Sequence, residues 1–444
     1  MALSTNPLPG TRDFFPEEMS VRQQVFSALY RVVESFGYLR YDGPMLEPFE
    51  LYAAKTSEEI VAAQTYRMTD RGGRDLVVRP EMTPTVARMI AAQAGSLALP
   101  ARWYSHPNLW RYERKQRGRY REHWQVNVDL FGTESWEAEE EIFAILAEMM
   151  FALGAAPSDF EIRVSDRALI KAALAAVAGV TEEQAGPVFA VVDRLHKVPR
   201  PESERALAEL GLDPAKVLAV FLAEDPLAEL AATVPPELLA RSNAWRVLSS
   251  WRAHGAPTSR PAVIRFEPSI VRGFAYYTSS VFELYDVSPE NPRSIAGGGR
   301  YDNLVGLFGK PRVPGIGFGM GDVTLIDFLH THGLAPRPLL AADAVVLAPD
   351  AVSDEGARRI KQIALALRQA GLRLAQPFEA KKLGKQLERA AKDGVRCAVI
   401  AGPEEHARGA VKLRDLARSV EEELPLVALP RRLAELVRPV GGTP

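Results

Sequence analysis

Between Arg111 and Arg121 the chain carries six basic residues in eleven, RYERKQRGRYR, with Glu113 as the one acid among them. Arginine in this number suits phosphate, because the planar guanidinium fork donates paired hydrogen bonds to phosphate oxygens. A polyphosphate or a nucleic acid is therefore one reading of the loop, and a solvated hairpin tip is the other. Just downstream, Trp124, Val126, Val128 and Leu130 alternate with Gln125, Asn127 and Asp129. A period of two puts those three polar side chains on one face of a strand, which is either solvated or lines a site. By the same rule Arg111 and Glu113 share a face of the preceding run. Upstream, RPEMTP gathers Arg79, Glu81 and Thr83 where a strand gives way to a helix.

Other chemistries find less support. IAGGGRYD matches neither the GxxxxGK[ST] nor the GxGxxG phosphate loop, so close backbone approach or tight strand packing explains its glycines at least as well. The seven histidines show no HExxH and no other metal spacing, and there is no GxSxG nucleophile elbow. The single cysteine, Cys397, lies in an apolar run and reads as core. Arg272 precedes Gly273, Tyr276, Tyr277 and Thr278 in a β-rich segment where ordinary strand packing is an equal alternative.

The elements that must position these residues follow from periodicity. Val25, Leu29, Val32 and Phe36 predict a helix from Met19 to Phe36, stopped at Gly37. An extended stretch with Pro44 and Pro48 follows, then DLVVRPE as a strand ending at Glu81, with Thr83 as N-cap and Pro84 opening a helix through Gln93. Arg102 to Gly132 reads as two extended runs flanking the basic loop, and Ile142, Leu146, Met149 and Leu153 return to helical spacing. The Ala- and Leu-rich stretch after Arg167 reads as a helical insertion, and a second β-rich block runs from Ala262 to Gly321. Beyond a Pro-containing linker, AVVLAP, a helix over Ser353–Ala370, a helix over Lys381–Lys392 and VRCAVIAG alternate as in a small α/β domain.

The 444 residues hold 54 Lys plus Arg against 56 Asp plus Glu, a net charge of -2, so any nucleic-acid contact must come from local clusters. One cysteine permits no intrachain disulfide and fits a reducing compartment. The longest apolar stretch, Ala172 to Val180, is too short to span a bilayer, and the N-terminus lacks a signal pattern. No membrane association and a cytoplasmic location are expected.

In order, RPEMT, WRYERKQRGRYREHWQVNVDLFG, VRGFAYYTSSVFE and AGGGRYDNL resemble the histidyl-tRNA synthetase family of class II aminoacyl-tRNA synthetases. The resemblance runs from GTRDFFPEE to VRCAVIAG and VKLRDL, and the helical insertion is its least distinctive part. It implies an α+β fold: a six-stranded, class II synthetase-like antiparallel sheet flanked by helices, with a C-terminal α/β anticodon-binding-like domain. The expected boundaries are 1–166 and 259–333 for the catalytic domain, 167–258 for the insertion, 334–341 for the linker and 342–444 for the last domain.

The same resemblance implies ATP-dependent activation of histidine and its transfer to tRNA. Arg111 would hold the α-phosphate, Glu113 the adenine edge and Arg119 the outer phosphates, with Arg272 beside the α-phosphate and the substrate carboxylate. Glu81, Thr83 and Gln125 would take the α-amino group, and Asp129, Tyr277 and Tyr301, with Tyr276 beside them, the imidazole side. Mg2+ would accompany ATP, with neither zinc nor an organic cofactor expected. Pro44 resembles the dimer-interface motif, implying a homodimer. Lys381, Lys382, Lys385 and Arg389 give a basic helix face that would suit RNA phosphates, as a solvated helix also would.

The chain also departs from the family pattern. GMGDVTL places Thr324 where an arginine is usual, the RGxDYY aspartate is Ala275, and the shorter Asp129 stands for a glutamate. The competing resemblance is to the non-catalytic, histidine-sensing regulatory subunit of ATP phosphoribosyltransferase. That reading predicts loss of the ATP-binding residues and of the last domain, whereas Arg111, Glu113, Arg272 and the domain are all present.

Overall fold

A computed structural model describes residues 3–53, 64–113, 118–195, 198–270, 276–339, 342–376 and 382–437. It divides into two compact units, one reaching Phe14 and running from Arg22 to Pro336, the other comprising Phe15–Val21 and the chain from Arg337.

The first unit is built on a nine-stranded sheet. Its strands are β1 (Leu39–Arg40), β5 (Ala101–Ser105), β6 (Asn108–Trp110), β7 (Glu122–Phe131), β8 (Phe160–Asp166), β9 (Ile264–Phe266), β10 (Ser280–Asp286), β11 (Ala296–Arg300) and β12 (Gly315–Gly321). A separate three-stranded sheet holds β2 (Leu46–Pro48), β3 (Tyr66–Thr69) and β4 (Asp75–Val78). The large sheet runs β1-β5-β7-β12-β11-β10-β8-β9, with β6 attached to β7. The six strands from β5 to β8 are mutually antiparallel, which matches the implied core, but β1 and β9 add parallel edges that the resemblance did not include.

The two faces of this sheet differ as the alternation in β7 requires. Val126, Val128, Leu130, Ile316, Phe318, Met320, Phe282 and Leu284 form the apolar face and are all buried. Helix Glu137–Ala152 supplies Phe143, which meets Phe282 edge-on at 4.9 Å and Trp251 of helix Asn243–His254 at 6.4 Å. Burial of so many large apolar side chains, each stabilising by about 1.5–3 kcal/mol, makes this the structural side of the sheet. Glu139 and Arg300 lock it further, with two charge-assisted bonds of 2.6 and 2.7 Å between groups almost wholly buried.

Several sequence expectations need correction. The first helix spans Pro16–Ser35 and buries Val25, Phe26, Leu29 and Val33, while Val32 and Phe36 are only half-buried. The strand expected to reach Glu81 ends at Val78, and Thr83 is the first helical residue behind an N-cap at Met82 that makes no side-chain bond. The first run of the expected hairpin is broken into β5 and β6, so Arg111 and Glu113 fall beyond Trp110, outside any strand. There the Glu113 amide donates to the Arg111 carbonyl at 2.8 Å, a tight turn to which the two-residue rule does not apply.

Between β8 and β9 the described chain is helical, from Arg167–Ala178 to Asn243–His254. Asp166, Thr181, Asp213, Asp225 and Ser242 cap five of these helices through side-chain oxygens.

The second unit has a five-stranded sheet ordered β14-β13-β15-β16-β17, built from Leu374–Ala375, Ala344–Leu347, Cys397–Ile400, Ala410–Asp415 and Val420–Pro425 respectively. Parallel pairing holds on both sides of β13, as in an α/β unit, but β16 and β17 continue antiparallel. Helix Asp354–Gln369 begins at Ser353, whose hydroxyl accepts from the Gly356 amide, and packs Ile360, Ile363 and Leu367 against Val346, Val399 and Cys397. Helix Leu383–Lys392 starts two residues later than the spacing predicts.

Candidate functional site

The opposite face of the large sheet is floored by glycine. In register, Asp129 of β7 lies beside Gly317 of β12, which lies beside Gly299 of β11; Asn127 similarly leads to Gly319 and Gly297. These bare positions are occupied from above. A methyl on Gly317 would stand 2.6 Å from Asp129 Oδ1 and 2.8 Å from the Tyr301 hydroxyl; one on Gly319 would stand 2.6 Å from Gln125 Nε2; one on Gly299 would stand 2.8 Å from the Tyr277 ring. Thus the AGGGR and GIGFGMG glycines permit close approach of side chains to the sheet, and the polar face of β7 is covered rather than solvated, with Asn127 and Asp129 buried.

Over this floor Asp129 is 2 % exposed, and Tyr301 donates a short hydrogen bond to its Oδ1. The Tyr41 hydroxyl approaches Oδ2 at 3.4 Å. Burial pushes the Asp129 carboxyl from an ordinary 3.8 up to about 7, against the opposing effect of the two tyrosine bonds. Burial also holds Tyr301, Tyr277 and Tyr276 above the usual phenol range, so they act as neutral hydroxyls near pH 7.

A second carboxylate sits beside this group. Glu81 is 3 % exposed, and its Oε2 accepts from the Tyr276 hydroxyl at 2.8 Å. Thr83 also faces the Tyr276 hydroxyl, and Tyr52 donates to the Glu81 carbonyl at 3.1 Å. The Tyr276 and Tyr277 rings meet edge-on at 5.0 Å, and Tyr276 and Tyr301 at 5.9 Å. Glu81, Tyr276, Tyr277, Tyr301 and Asp129 are thus linked by hydrogen bonds and ring contacts, with Thr83 beside Tyr276 and Gln125 over Gly319 of the same sheet face, a set of two carboxylates, a carboxamide and several hydroxyls. Such a set can satisfy an ammonium group and ring nitrogens together.

The arginine residues form a second group. Arg111 Nε donates to the Pro80 carbonyl at 2.9 Å, one residue before Glu81. Arg111 also faces His123, whose imidazole is held down at about 3, chiefly by burial and then by that charge. Arg119 Nη1 pairs with Glu113 Oε2 at 3.0 Å, and Arg121 Nε donates to the Glu113 carbonyl at 3.3 Å. Arg114, Lys115 and Arg117 of the basic loop, Arg272 and Ala275 of RGFAYY, and Lys381 lie outside the described residues. Lys382, Lys385 and Arg389 are exposed in the second unit, where Arg389 pairs with Asp393 at 2.7 Å.

Sequence reasoning missed Tyr41, Arg12 and Asp322. Tyr41 reaches the site because its amide bonds to the Tyr104 carbonyl next to β5, a pairing that no local pattern announces. Asp322 is fully buried, accepting from Arg12 at 2.9 Å, Arg22 at 2.6 Å and the Trp124 amide at 3.1 Å. Its signal was GMGDVTL itself: an aspartate inside an apolar, Gly-rich segment requires partners. Among the described residues no cluster of three or more His, Cys, Asp or Glu side chains could hold a metal ion, and no helix is long and apolar enough to cross a membrane.

Comparison with known proteins places this architecture. The family model described as histidyl-tRNA synthetase matches residues 10–323, and that described as anticodon binding domain matches residues 344–436. A histidine–tRNA ligase of Leptospira biflexa is 41% identical over 94% of each chain. One from Opitutus terrae is 40% identical over 94% of this chain and 95% of its own. The crystal structure of histidyl-tRNA synthetase from Nostoc sp. PCC 7120 superposes with a TM-score of 0.83 at 25% identity, covering 98% of this chain and 100% of that one. With its family model matched over more than half its length, the chain belongs to the histidyl-tRNA synthetase family.

Proposed function

We propose that the protein is an ATP-dependent histidine–tRNA ligase. The observation that carries this reading is Asp129, a carboxylate buried among tyrosines above a glycine floor, in a chain of this family. Histidine is the side chain whose two ring nitrogens can use both an acceptor and a hydroxyl in that recess. A competitor lacking them leaves buried polar groups unpaired, which costs roughly 1–3 kcal/mol per group.

In this reading Glu81, Thr83 and Gln125 receive the α-amino group, and Asp129, Tyr301 and Tyr277 receive the imidazole with Tyr276 beside them. An oxygen of the histidine carboxylate attacks the α-phosphorus of ATP, the bond to the β-phosphate oxygen breaks, and pyrophosphate leaves. Arg111 and Arg272 stabilise the charge that develops on the α-phosphoryl group, an electrostatic and positioning role. Glu113 takes the adenine edge. Arg119 exchanges its Glu113 contact for the outer phosphates. A hydroxyl of the terminal tRNA adenosine then attacks the histidyl carbonyl, forming the ester and releasing AMP.

Magnesium enters with ATP as counter-ion to its phosphates, held by oxygen donors and water. The second unit, matched as an anticodon binding domain, engages tRNA in this reading, and Pro44 lies at a homodimer interface. The retained Arg111 and Glu113 and the matched anticodon domain weigh against a purely histidine-sensing subunit. The cytoplasm is the proposed location.

ATP–pyrophosphate exchange across the twenty amino acids tests the reading. Exchange that depends on histidine alone is the expected result; no exchange by well-folded protein overturns it. Arg111→Ala and Arg272→Ala should each abolish exchange with circular dichroism unchanged.

A further inference from the structure

The glycine of the basic loop leads to an arginine outside every motif considered so far. Gly118 has φ +74, and a methyl there would stand 2.8 Å from Arg293 Cδ, 3.4 Å from Arg293 Nε and 3.6 Å from Thr324 Cγ2. The Arg293 side chain therefore lies directly against the backbone of the loop that carries Arg119, and the Thr324 methyl approaches the same glycine. It is half-buried, and no hydrogen bond or ion pair ties it to another described residue.

Its surroundings are electrostatically unbalanced. Arg119 and Arg293 both face Glu113, but that carboxylate is engaged by Arg119 at 3.0 Å. Burial, and then repulsion from Arg119, lowers the Arg293 pKa, an effect that Glu113 only partly offsets. Two guanidinium groups sharing one carboxylate leave a net positive recess, which an anion with several oxygens would neutralise. Thr324 is short and uncharged, and its hydroxyl donates to the Ile295 carbonyl at 3.4 Å, so it brings no charge of its own to Arg293 and Arg119.

We propose that Arg293 is a binding residue for the outer phosphates of ATP, acting with Arg119 and supplying the guanidinium absent at Thr324. The assignment rests on the reading of the site as a histidine-activating centre. It deepens that reading by naming a phosphate contact from the loop before β11, where neither the arginine-rich loop nor the RGFAYY segment supplies it. Arg293 contacts the part of ATP that departs as pyrophosphate, so its contribution must be absent from AMP.

That difference gives the test. Pyrophosphate and AMP, each with magnesium, are titrated calorimetrically into the full-length protein and into Arg293→Ala and Arg293→Lys. Expected for Arg293→Ala are a loss of pyrophosphate affinity of tenfold or more, AMP affinity within twofold of the parent, and a tenfold or greater rise in ATP KM with histidine KM within twofold. Arg293→Lys should recover part of the pyrophosphate affinity, since a point charge replaces the fork. Unchanged pyrophosphate affinity in Arg293→Ala, or equal losses for pyrophosphate and AMP, overturns the assignment. Because binding is read directly, absence of histidine-dependent exchange in the parent would count against the proposed function, while the pyrophosphate comparison would still decide Arg293.

Discussion

Asp129 has to be buried to select a ring nitrogen, and that burial opposes its ionisation. Its carboxyl titrates at about 7 in the folded chain against an ordinary 3.8, so the folded state binds more protons between these values. Stability contributed by the protonated form is complete below about pH 4 and is lost as pH rises toward 7, a penalty of about 4 kcal/mol by pH 8. Asp129→Asn removes the titration while Tyr301 can still donate to the amide oxygen. Its urea midpoint should therefore rise relative to the parent at pH 8, in the absence of histidine, and the gain should shrink by pH 5. Equal differences at both pH values would show that Asp129 is not titrating in this range. The same variant should lose at least a hundredfold in kcat/KM for histidine, with ATP KM affected far less. Asp129 and Gln125 were legible from alternation alone, because a strand period fixes the face whatever its neighbours are. Tyr41 was not, since its position depends on pairing beside a strand some sixty residues away.

At the scale of elements, the two glycine-rich strands divide their glycines between site and core. Gly317 faces the recess, and an added methyl would stand 2.6 Å from Asp129 Oδ1. Gly298 faces the other side, where the methyl would collide with the Gly317 carbonyl and stand 2.6 Å from the Phe282 ring. Gly298→Ala should thus destabilise the fold by about 1–3 kcal/mol or more through overpacking. Gly317→Ala should raise the histidine KM at least tenfold, because its methyl would meet Asp129 and Tyr301, and should also cost stability, because the same methyl would stand 2.5 Å from the Val128 carbonyl. Gly306, with no atom within 4 Å of an added methyl, serves as the comparison, and Gly306→Ala should leave both unchanged. Thermal melts with histidine-dependent exchange check all three; a larger KM effect from Gly298→Ala than from Gly317→Ala would reverse the assignment of faces. Sequence spacing found the elements flanking these strands but not the antiparallel pair β16–β17. For β17 the reason is compositional: VEEELP exposes most of its length and is held by pairing to β16, with Arg432 bonding Glu422 at 2.7 Å, whereas β16 does alternate, burying Val411, Leu413 and Asp415. Thr83 failed as a cap for a local reason too, because the helix starts one residue earlier than Pro84 suggests.

For the whole molecule, a near-zero net charge of -2 means that any affinity for a polyanion must be drawn from local fields. Helix Leu383–Lys392 is preceded by Lys382 and carries Lys385, Arg389 and Lys392, with Gln386 and Ala390 turned inward. Arg389 already has Asp393 as partner, which leaves Lys382, Lys385 and Lys392 as the better candidates for phosphate contact, of which Lys382 and Lys385 lie together at the start of the helix. Each phosphate contact adds roughly 0.7–0.9 to the slope of log affinity against log salt. Lys382→Glu combined with Lys385→Glu should weaken tRNA binding, flatten that slope by about 1–2 and raise tRNA KM in the charging assay. Histidine-dependent ATP–pyrophosphate exchange should remain at the parent rate, because adenylate formation uses only groups of the first unit in this reading. Filter binding of tRNA from 50 to 300 mM salt supplies the slope. An unaltered slope with unaltered charging would make the basic face a solvated helix surface, while loss of exchange would show that the substitutions act on the catalytic unit instead of on RNA contact.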